Sequence, residues 1–205
     1  MAYNPNNPLI VQGDRTILVE VNNDLYEEVR DEVGRFAELE KSPEYMHTYR
    51  ISPLSLWNAA SSGMKAEEIV AVLEKYGKFE LPQNVWQEIE DQVSRYGKLK
   101  LIREDEALYL FSDDQYLIYE ILNQKKVQPY IIERKNKHQL KVDPGMRGHL
   151  KHTLIKLGFP VEDLAGYTPG SSFALSLKRI TAGGHELHLR DYQNQAVEAF
   201  YAKGS

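Results

Sequence analysis

The chain has 205 residues, 42% hydrophobic and 27% charged, with a formal net charge of −5. This composition is typical of one large or two small globular domains and excludes a disordered or fibrous chain. The absence of cysteine excludes disulfides, a thiolate zinc site and a cysteine nucleophile. The sequence contains neither an export signal nor an apolar run long enough to span a bilayer, so we expect a cytoplasmic protein without a membrane partner.

Residues 9–21 contain two apolar β-type runs on either side of a turn, which indicates a hairpin. A helix capped by Asn23 or Asp24 follows, and we expect it to end near Pro43. A further strand leads to residue 51. Residues 1–51 are therefore predicted to form a ββαβ layer, too small to fold alone and packed on the next unit.

Residues 52–125 are predicted to form a winged-helix-like unit and one following helix. Three short helices each end at a glycine, namely Gly63, Gly77 and Gly97. The hydrophobic period then changes from 3.6 to 2 around a turn at 104–106, as in a two-stranded wing. Glu88, Glu90 and Asp91 would make the recognition helix acidic, so both a DNA partner and a protein partner remain open for this unit.

The whole-chain charge hides a basic region. Residues 121–157 contain nine lysines and arginines against two carboxylates, a local charge of +7 that leaves −12 for the other residues. Within it, residues 126–168 are predicted to form a basic ββα domain with a turn at 134–138 and a helix from near Pro144 to Gly158. The candidate DNA-binding residues are Arg134, Lys135, Lys137, His138, Lys141, Arg147 and Lys151, and Tyr130 could stack on a base.

The alternative for this basic region is a solvated surface without a ligand. His149 and His152 have a spacing that a metal site could use, but no third ligand accompanies them, so we predict no metal site. Residues 169–205 are predicted to contain a linker, a strand at 172–180 and a helix after Asp191. That helix has an apolar stripe that needs a partner, so we expect the sequence to be truncated.

Three runs carry a resemblance to a known family: HTYRISPLSLWNAASSGMKAEEIVAVLEKYGKFELPQNV, SRYGKLKLIREDEALYLFSDD and LRDYQNQAVEAF. Together they resemble the N-terminal half of bacterial XPB-type DNA repair helicases of superfamily 2. The resemblance implies 3′–5′ translocation on DNA driven by ATP and Mg²⁺, and places a damage-recognition segment at residues 126–168. LRDYQ is similar to the adenine-reading Q-motif, which implies that Arg190, Tyr192 and Gln193 contact ATP in the parent protein.

The resemblance stops short of the catalytic motifs. The sequence has no G-x-x-x-x-G-K-[ST] loop, acidic metal-binding box or arginine finger, so we expect no cofactor and no catalysis in this chain alone. The resemblance implies damaged or distorted DNA as one partner and an accessory protein on residues 1–125 as another. It also implies a monomeric fragment associated with the bacterial nucleoid.

The fold class predicted from these elements is α+β. An alternative function is a stand-alone winged-helix regulator that binds DNA or protein and has no motor. The LRDYQ helix argues against that alternative, because a regulator has no use for a Q-motif.

Overall fold

The computed structural model of the protein describes residues 3–166 and 178–202. The chain forms two compact units, Met1–Gly166 and Tyr167–Ser205. The first unit has mixed α and β structure with two sheets, and each sheet has its own hydrophobic core. No helix in the described ranges is long and apolar enough to cross a membrane.

The first sheet contains one strand more than predicted. Its antiparallel strands are β1 (Leu9–Val11), β2 (Thr16–Glu20), β3 (Glu38–Lys41) and β4 (Met46–Arg50), in the spatial order β1-β2-β4-β3. Helix α1 (Tyr26–Val33) ends well before the predicted Pro43. The prediction failed because β3 is an edge strand with all four residues exposed, so it has no alternating apolar pattern. The layer is ββαββ, not ββαβ.

Three helices follow where the sequence predicts them: α2 (Pro53–Ser61), α3 (Ala66–Tyr76) and α4 (Gln83–Arg95). A capping box starts α2, since the Ser52 hydroxyl accepts a hydrogen bond from the Ser55 N–H at 3.0 Å and Ser55 Oγ accepts one from the Ser52 N–H at 3.0 Å. The buried side chains of these helices join those of the first sheet in one core, which includes Leu56, Leu73 and Ile89.

The predicted wing does not pack on these helices. Strands β5 (Leu99–Glu104) and β6 (Ala107–Phe111) do form a hairpin, and its turn residues Asp105 and Glu106 both have positive φ, 47° and 66°. However, the hairpin belongs to the second sheet and buries its leucines in the second core. The winged-helix arrangement is therefore not confirmed, because the wing shares its core with later elements of the chain.

The second sheet joins this hairpin to the basic region. The remaining elements of the first unit are α5 (Gln115–Leu122), β7 (Ile131–Arg134), β8 (Gln139–Val142), α6 (Arg147–Lys156) and β9 (Val161–Asp163). The strand order is β7-β8-β6-β5-β9, with β9 parallel to β5. The sequence analysis missed β9, which has only three residues and needs β5, about 60 residues earlier, to pair with.

In the second unit, α7 (Asp191–Ala202) begins where the sequence predicts a helix. Tyr192 and Phe200, two residues of its apolar stripe, are 60% and 61% exposed. A short turn precedes α7, in which the Thr181 N–H donates to the carbonyl of His185 at 2.8 Å. The predicted strand at 172–180 lies outside the described residues except for its last three.

Candidate nucleic-acid interface

The turn between β7 and β8, together with the last residue of β7, forms an exposed basic projection that we call the hairpin tip (residues 134–138). The tip is fixed to the start of α5. The Ser112 N–H donates to the carbonyl of His138 at 3.1 Å, and His138 Nδ1 lies 3.0 Å from the Ser112 carbonyl oxygen. Inside the turn, the His138 N–H donates to Asn136 Oδ1 at 2.7 Å. The cations of the tip therefore project from an ordered turn.

Arg134 is held in one orientation by a ring and a carbonyl. Its guanidinium carbon lies 4.2 Å from the centre of the Tyr119 ring on α5, a cation–π contact. Its Nε–H donates to the Asn136 carbonyl at 3.0 Å. Within the described residues, the two terminal nitrogens of Arg134 have no hydrogen-bond partner. They form a fork that can bind one phosphate through two hydrogen bonds.

Lys135 lies beside a second ring and is already paired with a carboxylate. Its Nζ is 4.3 Å from the centre of the Tyr109 ring and 2.7 Å from Glu104 Oε2. The hydrogen bond to Glu104 raises the pKa of Lys135, and the same bond lowers the pKa of Glu104. Part of the charge of Lys135 is therefore cancelled before any external anion binds.

Lys137 and Lys141 differ in whether a carboxylate already pairs with the lysine. Lys137 is exposed at the end of the tip and forms no ion pair within the described residues. Lys141 lies on β8, with its Nζ 3.3 Å from Glu133 Oε1 on β7. Of these two, Lys137 keeps its full charge for an external anion.

Arg147 and Lys151 lie on α6 and point toward β9 and not toward the tip. Asp163 of β9 accepts from Arg147 Nη2 at 2.6 Å and from Lys151 Nζ at 2.8 Å. Burial acts to raise the pKa of Asp163, but the hydrogen bonds from Arg147 and Lys151 outweigh it, and the pKa is lowered. The structure thus brings four of the seven candidate residues together at the tip and places these two in an internal ion-pair cluster.

The sequence analysis missed the aromatic partners of the tip. Tyr109 and Tyr119 hold Lys135 and Arg134, whereas Tyr130, for which the sequence predicts stacking on a base, packs against the second core. The available signal was weak: Tyr119 lies on the face of α5 opposite the buried Ile118 and Ile121, where an aromatic residue is unexpected.

The Q-motif-like residues are arranged as a helix start. The Arg190 N–H donates to Gln193 Oε1 at 2.9 Å, so the amide oxygen of Gln193 caps α7. Tyr192 is largely exposed. Across residues 3–166 and 178–202, no cluster of three or more His, Asp or Glu residues is arranged to hold a metal ion.

Comparison with known proteins gives the family. The family described as helicase conserved C-terminal domain matches residues 9–136. The DNA 3′-5′ helicase XPB of Mycobacterium tuberculosis is 42% identical over 97% of this chain and 35% of its own length. The protein of the same name from Kineococcus radiotolerans is 39% identical over the same shares.

A third relative is less similar in sequence. The general transcription and DNA repair factor IIH helicase/translocase subunit XPB of Enterocytozoon bieneusi is 27% identical over 96% of this chain and 32% of its own length. The chain thus spans about a third of the length of the curated relatives it matches. It belongs to the helicase conserved C-terminal domain family and is a relative of the XPB-type DNA helicases.

Proposed function

We propose that this chain is the DNA-recognition and partner-docking region, N-terminal to the motor, of an ATP-dependent 3′–5′ DNA helicase or translocase that acts in DNA repair. Its similarity to XPB helicases along nearly its whole length supports the helicase assignment. The hairpin tip carries the DNA-recognition part of the proposal. It combines an oriented arginine fork with an unpaired exposed lysine on an anchored turn.

The tip suits the DNA backbone better than base edges. Arg134 and Lys137 bring positive charge without carboxylate partners among the described residues, and phosphate oxygens are the anionic groups that such cations bind on a duplex. Recognition through phosphates is independent of base sequence, as expected for a protein that acts on damaged or distorted DNA. Arg147 and Lys151 contribute less, because Asp163 already neutralises them in part.

ATP and Mg²⁺ belong to this proposal only through a longer protein. When bound, ATP would supply the energy for movement along DNA. In this chain, Tyr192 and Gln193 could contact the adenine, while the phosphate and metal contacts would have to come from residues that the sequence does not contain.

Residues 1–125 are proposed to dock an accessory protein. On α4, Glu88 pairs with Arg15 at 3.2 Å and Asp91 pairs with Arg95 at 2.7 Å, while Trp86 on the same helix is 42% exposed. An exposed tryptophan on a helix with three carboxylates and one arginine suits a protein partner better than phosphate. The alternative of a stand-alone winged-helix regulator loses support, because the wing hairpin packs in the other core.

A fluorescence anisotropy titration of a labelled duplex tests the DNA part. We expect dissociation constants of ~10⁻⁴ to 10⁻⁶ M at physiological salt, weakening steeply as salt rises. Lys137→Ala should weaken binding, while Lys41→Ala, which removes an exposed lysine of β3 that has no ion pair among the described residues, should leave it unchanged. Absence of saturable binding at 50 mM salt, or equal effects of the two variants, would refute DNA recognition by the tip.

A further inference from the structure

The helix beside the hairpin tip has an exposed face with two aromatic rings. Tyr116 and Tyr119 are one turn apart on α5, a spacing that places both on one side of the helix. Tyr116 is 75% exposed and its side chain has no ring or hydrogen-bond partner in the described part of the chain. Tyr119 is 48% exposed and carries the guanidinium of Arg134.

We infer that Tyr116, Tyr119 and Arg134 form a site for one unstacked nucleotide of a single strand, in which Arg134 binds the phosphate and Tyr116 stacks on the base. This inference rests on the proposed function and extends it by naming the structure recognised, a base outside the double helix. Tyr119 is a positioning residue, since it acts through Arg134.

The chemistry of each part matches that ligand. The fork of Arg134 is fixed by the Tyr119 ring and by the Asn136 carbonyl, so little side-chain freedom is lost when a phosphate binds. An exposed tyrosine beside a phosphate site is the arrangement by which proteins bind single strands without reading their sequence. A base in an intact duplex is stacked on its neighbours and cannot offer its face to Tyr116.

Because the tip is anchored to the segment before α5, the residues of the proposed site belong to one surface. Ser112, three residues before the first residue of α5, donates its N–H to the carbonyl of His138, and its carbonyl oxygen lies 3.0 Å from His138 Nδ1. The start of α5 and the tip therefore keep a fixed separation. The carboxylate of Asp114 accepts from the Tyr116 N–H at 2.8 Å as the helix cap, so part of its negative charge is offset by the helix N-terminus.

The test compares three labelled probes of equal length: a 12-nucleotide oligothymidine, a strand with the same backbone but no bases, and a 12-base-pair duplex. The wild-type chain should bind oligothymidine about fivefold or more tighter than the abasic strand. Tyr116→Leu should abolish that difference by weakening oligothymidine binding alone. Tyr45→Leu, which changes a tyrosine that is 64% exposed before β4, is the matched control and should change nothing.

The role of Tyr119 has a separate readout. Tyr119→Leu should weaken binding to both single strands about two- to fivefold and reduce the salt slope by about 0.7, the value of one phosphate contact on a single strand. Tyr119→Phe keeps the ring and should restore wild-type behaviour. Circular dichroism melting curves of all variants should superimpose, which would exclude unfolding as the cause.

The outcomes separate this inference from the function on which it rests. If the wild-type chain binds the two single strands equally, or if Tyr116→Leu weakens both to the same extent, the nucleotide site is wrong and phosphate recognition by the tip stands. If the wild-type chain binds none of the three probes at 50 mM salt, both the proposed function and this inference fail.

Discussion

Arg147 and Asp163 form a two-point ion pair: Arg147 Nη2 lies 2.6 Å from Asp163 Oδ1 and Nε lies 3.0 Å from Oδ2. Arg147 Nη1 also donates to the carbonyl of Gly166 at 2.6 Å. Lys151, one turn further along α6, adds a third hydrogen bond to the carboxylate. This cluster fastens α6 to β9 and to the last described residues of the first unit. One carboxylate shared by two cations neutralises part of their charge, so this cluster offers less positive charge to phosphate than its residue count suggests.

Replacing Asp163 by asparagine should therefore destabilise the first unit. We expect a loss of about 2 kcal/mol in the free energy of unfolding at pH 7, because two partly buried cations lose their counter-charge. Urea unfolding followed by circular dichroism measures this change. Glu162→Gln is the control, since Glu162 has no ion pair within the described part of the chain, and it should cost less than about 0.5 kcal/mol.

The same pair should make stability depend on pH in acid. The pKa of Asp163 in the folded chain is lowered below its ordinary value of 3.8, so the unfolded chain takes up the proton first. The stabilisation is complete above pH 3.8 and is lost as pH falls through the folded pKa. The difference between wild type and Asp163→Asn should shrink below pH 3.8. A difference that stays constant down to pH 2.5 would contradict the assignment.

Removing the charges of the tip should weaken DNA binding and flatten its salt dependence. For Arg134→Ala/Lys135→Ala/Lys137→Ala we expect the slope against salt to fall by about two units, nearer two than three because Lys135 is already paired with Glu104. The affinity should fall equally for all base sequences. Anisotropy titrations at several salt concentrations measure both quantities.

The control for that variant lies at the start of the other hairpin. Lys98→Ala/Lys100→Ala should have a smaller effect on binding, because Lys98 follows the acidic α4 by three residues and neither lysine belongs to the hairpin tip. If Lys98→Ala/Lys100→Ala abolished binding while the tip variant bound normally, the DNA site would lie on the β5–β6 hairpin.

Substitution in the turn of the β5–β6 hairpin should stabilise the first unit. Asp105 and Glu106 both adopt positive φ, which costs free energy for residues with a Cβ and favours Asn-Gly in a two-residue turn. Asp105→Asn/Glu106→Gly should stabilise the first unit by about 1 kcal/mol, seen as a higher thermal midpoint. A lower midpoint would show that the side chain of Asp105 or Glu106 contributes contacts that outweigh the strain.

The purified chain should not hydrolyse ATP. The sequence has no phosphate-cradling loop and no acidic metal-binding box, and Gln193 is engaged in capping α7. Phosphate release measured with and without DNA should equal the rate of a buffer blank. DNA-stimulated turnover that copurifies with the chain would refute this prediction.

Several elements could be predicted because the residues that define them are neighbours in the sequence. The start of α2 needs only Ser52 and Ser55, and the tip needs only the polar residues between two short apolar runs. The family resemblance is also a property of the sequence, and the match to helicases confirms it at that level. The positions of α2, α3 and α4 and of the β5–β6 turn could therefore be predicted, whereas the end of α1 could not.

Partners that are distant in sequence could not be predicted. The β5–β6 hairpin has the same alternating pattern whether it packs on the preceding helices or on β8, and only the tertiary structure places Leu108 opposite Val142. β9 is a strand because β5 offers it an unpaired edge.

The ion-pair partners of the charged residues could not be predicted from the sequence either. The sequence determined that residues 121–157 are basic, but a list of lysines and arginines does not say which of them meet a carboxylate. Folding brings Asp163 to Arg147 and Glu104 to Lys135, whereas Arg134 meets a ring that leaves its charge intact. The electrostatic energy of an ion pair depends on distance and burial, and both are set by the packing of α6, β5 and β9.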